Sequence, residues 1–244
     1  AKKAERLGVD IRMNTKVTPE MIEEIKPHTV MNAIGAESII PPIPGVDKAF
    51  VKDSHDVLDG KAEATGNVVV IGGGMVGMET AEYLAEKGAK VSVLEMLPDI
   101  CSDMGTTRKI CMGEEIQKSG IIPVTSVKVT EIGDNVVIGE KDGEKVEFPC
   151  DAAVLAIGAK KRDGSALAET CYKNGIGYFE IGDAAMARRA INATREAMDA
   201  ALTFDREDVH RDVSKPKKLV FITGASGMMG GQTLKQLLAR PNRF

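Results

Sequence analysis

Residues 67–77 read Asn-Val-Val-Val-Ile-Gly-Gly-Gly-Met-Val-Gly, and this stretch decides the fold of the chain. A short, continuously apolar run of this kind is typical of a strand that a parallel sheet buries on both faces. The glycines fit the pattern G-x-G-x-x-G. The sequence predicts a helix from about Val76 to Lys87 and a second buried strand from Lys90 to Glu95. Together these features predict a Rossmann-like strand–turn–helix–strand unit.

The glycine turn is predicted to hold the pyrophosphate of a dinucleotide. Gly72 allows a tight turn out of the strand, Gly74 lets the backbone approach the phosphates, and Gly77 lets helix and strand pack closely. The first helical turn presents backbone N–H groups and the positive end of its dipole to the anion. The predicted binding residues of this segment are Gly72, Gly73, Gly74, Met75, Val76 and Gly77. A phosphate loop of the NTPase type is excluded because no Lys-Ser or Lys-Thr pair follows.

Glu95 ends the second strand, about 20 residues beyond the turn, where an acid binds a ribose 2′-hydroxyl. A carboxylate there repels the 2′-phosphate of NADP, and Met96-Leu97 supplies no arginine to accommodate one. The sequence therefore predicts NAD rather than NADP. Glu79, on the helix, is expected to contact the nicotinamide ribose or amide. The alternative is a tight turn without a ligand, in which Glu95 is a solvated strand end.

Composition and charge exclude several classes of protein. The chain has 244 residues, of which 43% are hydrophobic and 28% are charged, and its net charge is −4. An acidic chain without Trp gives no reason to expect a nucleic-acid partner. No apolar run is long enough to span a membrane, and no signal peptide precedes the first helix. Four scattered cysteines without a Cys-x-x-Cys pair predict reduced thiols, no metal site and a cytoplasmic protein.

The remaining pattern predicts further α/β structure. Helices are expected at 1–7, 19–25, 107–118 and 184–202, and strands at 9–13, 29–34, 121–124, 151–157 and 177–181, of which 151–157 is expected to be buried. The period changes to two over 127–148, which predicts a small antiparallel meander. Three prolines in Ile39–Gly45 predict an extended linker. No element is predicted between 159 and 176.

Several motifs, in order, resemble one family. Val68–Ile100, with Glu79-Thr-Ala-Glu-Tyr-Leu84 in its helix, looks like the NADH domain of flavoprotein oxidoreductases that bind two dinucleotides. Further motifs are Asn32-Ala-Ile-Gly-Ala-Glu37, Ile43-Pro-Gly-Val-Asp47, Ala156-Ile-Gly-Ala159 and Ile181-Gly-Asp-Ala184. Residues 1–204 resemble the C-terminal part of the 2,4-dienoyl-CoA reductase and enoate reductase group, relatives of old yellow enzyme. The resemblance implies FAD and NAD(H) as cofactors and hydride transfer from NADH to FAD.

In that family the NADH domain is inserted into a split FAD domain. The resemblance therefore implies an NADH domain at 63–149 and a partial FAD-binding α/β domain at 1–62 and 150–204. Gly35 and Gly158 resemble the crossover points between the two domains. Gly182 resembles the glycine that faces the FAD pyrophosphate, and Asp183 the aspartate that accepts a hydrogen bond from the ribityl chain.

The chain also departs from the family. The first FAD-binding Rossmann unit, the FMN-binding barrel and the iron–sulfur cysteine cluster should lie upstream of Ala1, and both ends of the chain look cut. We therefore expect these portions in a longer parent protein, where electrons reach an α,β-unsaturated acid or acyl-CoA. FAD binding by this chain alone is expected to be weakened.

The tail at 214–244 has a resemblance of its own. Thr223-Gly224-Ala-Ser-Gly227-Met-Met-Gly230 is G-x-x-G-x-x-G after an apolar strand, similar to extended short-chain dehydrogenases and nucleotide-sugar epimerases. Gly224, Gly227 and Gly230 are its candidate NAD(P)-binding residues. No Tyr-x-x-x-Lys pair follows, so that catalytic activity is not expected here. A simple βα appendage is the alternative.

Two further hypotheses stay open at this stage. The chain could be a non-catalytic NAD(H)-binding module, which predicts NADH binding without a flavin. It could instead be the start of an NAD(P)-dependent epimerase or dehydrogenase. In that case the nucleotide depends on Gly227 rather than on Gly74.

Overall fold

The computed structural model describes residues 2–102, 104–203, 220–224 and 233–235. They form α/β structure in two units. We call residues 38–159 the inserted unit, and residues 1–37 together with 160–244 the split unit. Gly227 and Gly230 lie outside the described residues. No helix in the described part is long and apolar enough to cross a membrane.

The bounds of the regular elements are as follows. The helices are α1 (Lys2–Arg6), α2 (Pro19–Ile25), α3 (Ser54–Leu58), α4 (Met75–Glu86), α5 (Thr106–Ser119), α6 (Ser165–Lys173) and α7 (Ala190–Thr203). The strands are β1 (Thr29–Asn32), β2 (Ala36–Ser38), β3 (Val51–Asp53), β4 (Asn67–Ile71), β5 (Lys90–Leu94), β6 (Ile122–Val124), β7 (Lys128–Ile132), β8 (Val136–Lys141), β9 (Glu144–Pro149), β10 (Ala152–Leu155), β11 (Ala159–Lys161), β12 (Gly177–Glu180) and β13 (Val220–Thr223).

The inserted unit is built on a parallel sheet with the strand order β3-β10-β4-β5-β6. Because side chains alternate across a strand, Val68 and Val70 face one side, where they pack with Met78 and Leu84 of α4. The neighbouring side chains, such as Val69, face the other side. Both faces of β4 are thus buried, which explains its uninterrupted apolar sequence.

The antiparallel meander β7-β8-β9 covers the second face of this sheet. Ile132 and Val137 are almost completely buried there, in the same cluster as Val69 and Leu155. The expected meander at 127–148 therefore exists. It takes the place that a second layer of helices has in many doubly wound folds.

The split unit contains a smaller parallel sheet, in the order β12-β1-β13. Met31 and Ile181 pack against the small side chains of α7, including Ala197 and Ala200. Val30 faces the other cluster, with residues of α2 and α6. This sheet is also covered on both faces.

Some elements differ from the sequence-based expectation. Residues 9–13 form no strand, because none of them is buried and no neighbouring strand pairs with them. The expected helix 184–202 begins only at Ala190, after a 3-10 turn at Gly182–Ala184. α6 was not expected, because two of its three buried residues, Thr170 and Cys171, do not mark an apolar face.

The unit boundaries lie at 37/38 and 159/160, and not at the expected 62/63 and 149/150. The physical reason is strand pairing. β10 pairs in parallel with β3 on one side and with β4 on the other, so both β3 and β10 belong to the sheet of the inserted unit.

We predict that Glu82 of α4 destabilises the fold at neutral pH. Burial raises the pKa of its carboxyl, and the nearby carboxylates of Glu115, Glu79 and Glu86 raise it further. One of its oxygens is buried without a hydrogen-bond partner. Since the folded pKa lies above the unfolded one, stability is lost as pH rises through the folded pKa.

Glu82→Gln should therefore raise the melting temperature at pH 7 by a few degrees, at about 2–4 °C per kcal/mol for a chain of this size. Below the unfolded pKa the gain should vanish. Thermal denaturation of the unsubstituted chain and of the variant, from below the unfolded pKa of Glu82 up to pH 7, measures the difference in melting temperature. Glu114→Gln, which removes an exposed charge from α5, is the control. An equal gain at low and neutral pH would contradict the assignment.

Candidate dinucleotide-binding site

The strand order of the inserted unit reverses beside β4. From β4 the chain passes through α4 to β5 and through α5 to β6, whereas β10 pairs on the other side of β4. Open parallel sheets bind ligands in the crevice outside the carboxyl ends of the strands at such a point. Ile71 and Leu155, the last residues of β4 and β10, are register partners. The crevice therefore lies at the residues that follow them, beginning with Gly72 and Ala156.

Close backbone contacts explain Gly72 and Gly77. Gly72 has a φ of +111°, and a Cβ atom there would lie 2.5 Å from the carbonyl oxygen of Ala156. A Cβ atom at Gly77 would lie 1.9 Å from the carbonyl oxygen of Gly72. Any side chain would push α4 away from the end of β4. The tight turn and the helix–strand approach expected from the sequence are both present.

The space beside Gly74 is open. A Cβ atom added to Gly74 would meet no atom within 4 Å. Gly74 is also the N-cap of α4, and because it has no side chain it provides no side-chain cap for the first amides of that helix. The backbone around Met75 and Val76 therefore offers N–H donors and a helix-dipole end to an anion. These residues fit a pyrophosphate, although its presence there remains a prediction.

Glu95 lies against the glycine turn. Its carboxylate accepts hydrogen bonds from the amide of Gly73 at 2.7 Å and from the amide of Leu97 at 2.8 Å. A carboxylate has about four acceptor positions, so two stay available to ribose hydroxyls. Met96 and Leu97 beside it are exposed. This geometry suits the predicted 2′-hydroxyl contact, which itself stays untested.

Glu79 takes part in a contact that the sequence did not predict. Its carboxylate lies 3.8 Å from the guanidinium of Arg108 on α5, and both side chains are exposed. The contact depends on how α5 packs beside α4, for which the local sequence holds no signal. The predicted contact of Glu79 with the nicotinamide remains a prediction.

The loop after β5 was also missed. The amide of Cys101 donates to the carbonyl oxygen of Gly73 at 2.8 Å, and a Cβ atom added to Gly73 would lie 2.9 Å from Cγ2 of Ile100. The loop therefore holds the middle of the turn in place. A buried cysteine and an isoleucine carry no motif that indicates this role.

Gly35 and Gly158 each follow a buried strand with positive φ, at +79° and +106°. They lead into the short strands β2 and β11, beside the boundaries between the two units. Their role as the crossover points between an NADH domain and an FAD domain remains a prediction. A ligand contact at either glycine remains a prediction.

Gly182 and Asp183 differ from their expected arrangement. The amide of Gly182 donates to the carboxylate of Glu196 on α7 at 2.8 Å, so a partner within the protein occupies it. Glu196 also forms an ion pair with Arg188, whose amide donates to Asp183. The helix terminus expected directly after Gly182 is only a 3-10 turn. The contact of Asp183 with a ribityl chain stays a prediction.

All four cysteines are reduced thiols, and three of them, Cys101, Cys150 and Cys171, are buried. Burial raises the pKa of the Cys150 thiol to about 11 and also raises the pKa of Cys171. Such thiols are poor nucleophiles at neutral pH. Among the residues that the structure describes, no group of His, Cys, Asp and Glu side chains could hold a metal ion.

Comparison with known proteins identifies the family. Residues 4–188 match the model of the pyridine nucleotide-disulphide oxidoreductase family. The chain is 43% identical over 154 residues to bilirubin reductase of Mediterraneibacter gnavus, covering 63% of this chain and 24% of the relative. It is 39% identical over 201 residues to NADH oxidase of Thermoanaerobacter brockii, covering 80% of this chain and 31% of the relative.

A solved structure of 2-naphthoyl-CoA reductase in complex with 2-naphthoyl-CoA is similar, with a TM-score of 0.71 and 30% identity over 79% of this chain and 29% of the other. The chain thus spans about a quarter to a third of the length of these relatives. The fold class expected from the sequence is confirmed, as are FAD and NAD(H) as the cofactors of the homologues. The chain belongs to the pyridine nucleotide-disulphide oxidoreductase family.

Proposed function

We propose that this chain binds NADH at the glycine turn of the inserted unit and delivers its hydride to FAD held by the split unit. The observation that carries the proposal is the open, uncapped start of α4 at the point where the strand order reverses. Its relation to an NADH oxidase over 80% of the chain supports the same chemistry. When bound, the nicotinamide donates a hydride and the flavin accepts it.

The contribution of the protein is binding and orientation. Gly72 and Gly77 shape the turn, and the first amides of α4 bind the pyrophosphate. Glu95 accepts hydrogen bonds from the adenosine ribose and repels a 2′-phosphate, which selects NADH over NADPH. Asp183 would orient the flavin through its ribityl chain.

We further propose that the parent protein reduces an α,β-unsaturated acid or acyl-CoA, as in the 2,4-dienoyl-CoA reductase and enoate reductase group. The similarity to a reductase solved with an acyl-CoA supports an acyl-CoA acceptor. FMN and iron–sulfur portions outside this chain would carry the electrons there. The four cysteines are reduced thiols, as is usual for proteins of a reducing, cytoplasmic compartment.

The visible absorption spectrum tests hydride transfer directly. Purified chain, loaded with FAD, should show a flavin band that bleaches when NADH is added without oxygen. NADPH at the same concentration is the matched control and should bleach it more slowly. A colourless protein after incubation with FAD would reduce the function to that of an NADH-binding module.

Gly74→Val should weaken NADH binding without destabilising the fold. A Cβ atom at this position meets no protein atom within 4 Å, and the extended backbone tolerates a β-branched residue. We expect a loss of NADH affinity of about tenfold or more, because the side chain fills the space of the pyrophosphate. Isothermal titration and thermal denaturation measure the two effects.

Gly105→Val is the matched control for that variant. Gly105 is the N-cap of α5, with an extended backbone and an equally open surrounding. It should leave NADH affinity unchanged. If both variants bind NADH as tightly as the unsubstituted chain does, the nucleotide does not lie at the start of α4.

Replacing Glu95 tests the choice of nucleotide. Glu95→Ala should lower the affinity for NADH and raise the affinity for NADPH, because the charge that repels the 2′-phosphate is gone. Glu95→Gln removes the charge but keeps the side-chain length and an acceptor for one of the two amides, since Gly73 and Leu97 donate to different carboxylate oxygens. An unchanged ratio of the two dissociation constants in both variants would refute the ribose assignment.

A further inference from the structure

The C-terminal strand β13 lies outside the matched family segment, which ends at residue 188. It nevertheless pairs in parallel with β1, at the centre of the sheet of the split unit. Val220 and Ile222 pack into the same apolar cluster as Met31 and Ile181. β13 is therefore part of the core of that unit.

The pairing of β13 with β1 repeats the pairing of β4 with β10 in the inserted unit. Thr223, the last residue of β13, is the register partner of Asn32, the last residue of β1. In the inserted unit Ile71 and Leu155 stand in the same relation. In both pairs the amide after the strand makes the last hydrogen bond between the two strands. The amide of Ala33 donates to the carbonyl oxygen of Thr223 at 3.1 Å, and the amide of Ala156 donates to that of Ile71 at 2.8 Å.

The neighbouring strands also end alike. Residues 33–36 and 156–159 both read Ala-Ile-Gly-Ala. The glycines of the two segments, Gly35 and Gly158, both have positive φ. The segments that follow β1 and β10 are thus identical in sequence, and their glycines share a positive φ.

Gly224 then takes the position that Gly72 has in the inserted unit. Both glycines follow directly after the strand and have positive φ, +69° at Gly224 and +111° at Gly72. A Cβ atom at Gly224 would lie 2.0 Å from the carbonyl oxygen of Ala33, compared with 2.5 Å between Gly72 and Ala156. At both positions only glycine fits without a shift of the backbone.

The strand order of the split unit also reverses at this place. β12 lies on one side of β1 and β13 on the other, so the carboxyl ends of β1 and β13 flank a crevice of the kind that binds ligands in parallel sheets. Gly224 opens the G-x-x-G-x-x-G sequence at this edge.

Two polar side chains, Asn32 and Thr223, connect the ends of β1 and β13. Asn32 is fully buried, and its side-chain oxygen accepts a hydrogen bond from the hydroxyl of Thr223 at 2.9 Å. Its amide donates to the hydroxyl of Tyr178 on β12 at 2.8 Å. The equivalent positions of the inserted unit hold the apolar pair Leu155 and Ile71. A buried asparagine matched by threonine favours β13 over an apolar strand as the neighbour of β1.

We propose that β13 and Gly224 form the phosphate-binding strand and turn of a second dinucleotide site, in the split unit, equivalent to β4 and Gly72. The shared chemistry is the pyrophosphate of a dinucleotide. The occupant is FAD, an assignment that rests on the proposed function. β13 and Gly224 then belong to the flavin site of the split unit and are not the start of a separate enzyme.

Hydrogen–deuterium exchange of the whole chain tests the proposal without any substitution. Exchange is measured for the chain without ligand, for the chain with FAD and for the chain with NADH. FAD should slow exchange in peptides that cover 33–36 and 220–224, whereas NADH should slow exchange in those that cover 71–77. A slowing at 220–224 by NADH in place of FAD would overturn the flavin assignment.

A pair of variants adds an affinity measurement. Gly224→Ala should raise the dissociation constant of FAD about tenfold or more and leave that of NADH unchanged. Gly175→Ala is the control, because Gly175 has a similar φ of +67° but nothing within 4 Å of an added Cβ atom. This control variant should bind FAD with the same dissociation constant as the unsubstituted chain.

The outcomes separate the two proposals. If FAD binds and bleaches with NADH, but neither the exchange at 220–224 nor the Gly224→Ala variant responds, this inference is overturned and the proposed function stands. If the chain binds no FAD while NADH still protects 71–77, both fail and only the NADH site remains.

Discussion

The close approach of Gly72 to the carbonyl group of Ala156 is the constraint on which the inserted unit depends. It lets β4 and β10 end side by side, so that the chain can turn at once into α4. Gly77 then brings the helix within contact of that same turn. Because both contacts join backbone atoms, no change of side-chain packing elsewhere can replace them. The start of α4 reaches the crevice between the strand ends only under this condition.

The arrangement also concentrates polar groups where a ligand can use them. The N-cap Gly74 provides no side-chain cap for the first backbone amides of α4, and two amides hold the Glu95 carboxylate beside the glycine turn. Apolar layers on both faces of the sheet leave the carboxyl edge as the place where such groups meet solvent. Binding specificity therefore depends on a few atoms that a large apolar core holds in position.

Regular, strongly apolar segments were predictable from their pattern. β4, α4, β5 and the meander all lie close to their expected bounds, because periodicity reports burial where a whole face is apolar. α6 was missed because its buried face includes Thr170 and Cys171. The late start of α7 was missed because its alanines continue the pattern of residues 184–189. The amide of Gly182 donates to the carboxylate of Glu196, 14 residues further along the chain, and local helix propensity cannot predict such a contact.

The sequence by itself determined the α/β class, the glycine turn followed by an acid at Glu95, and the broad family of flavoprotein oxidoreductases. These follow from residue types at fixed spacing along one segment. Only the tertiary structure decided that β3 and β10 belong to the inserted unit, that Arg108 faces Glu79, and that β13 lies beside β1. Such contacts join segments far apart in the chain. They depend on strand register and on the space between backbones, which no single segment encodes.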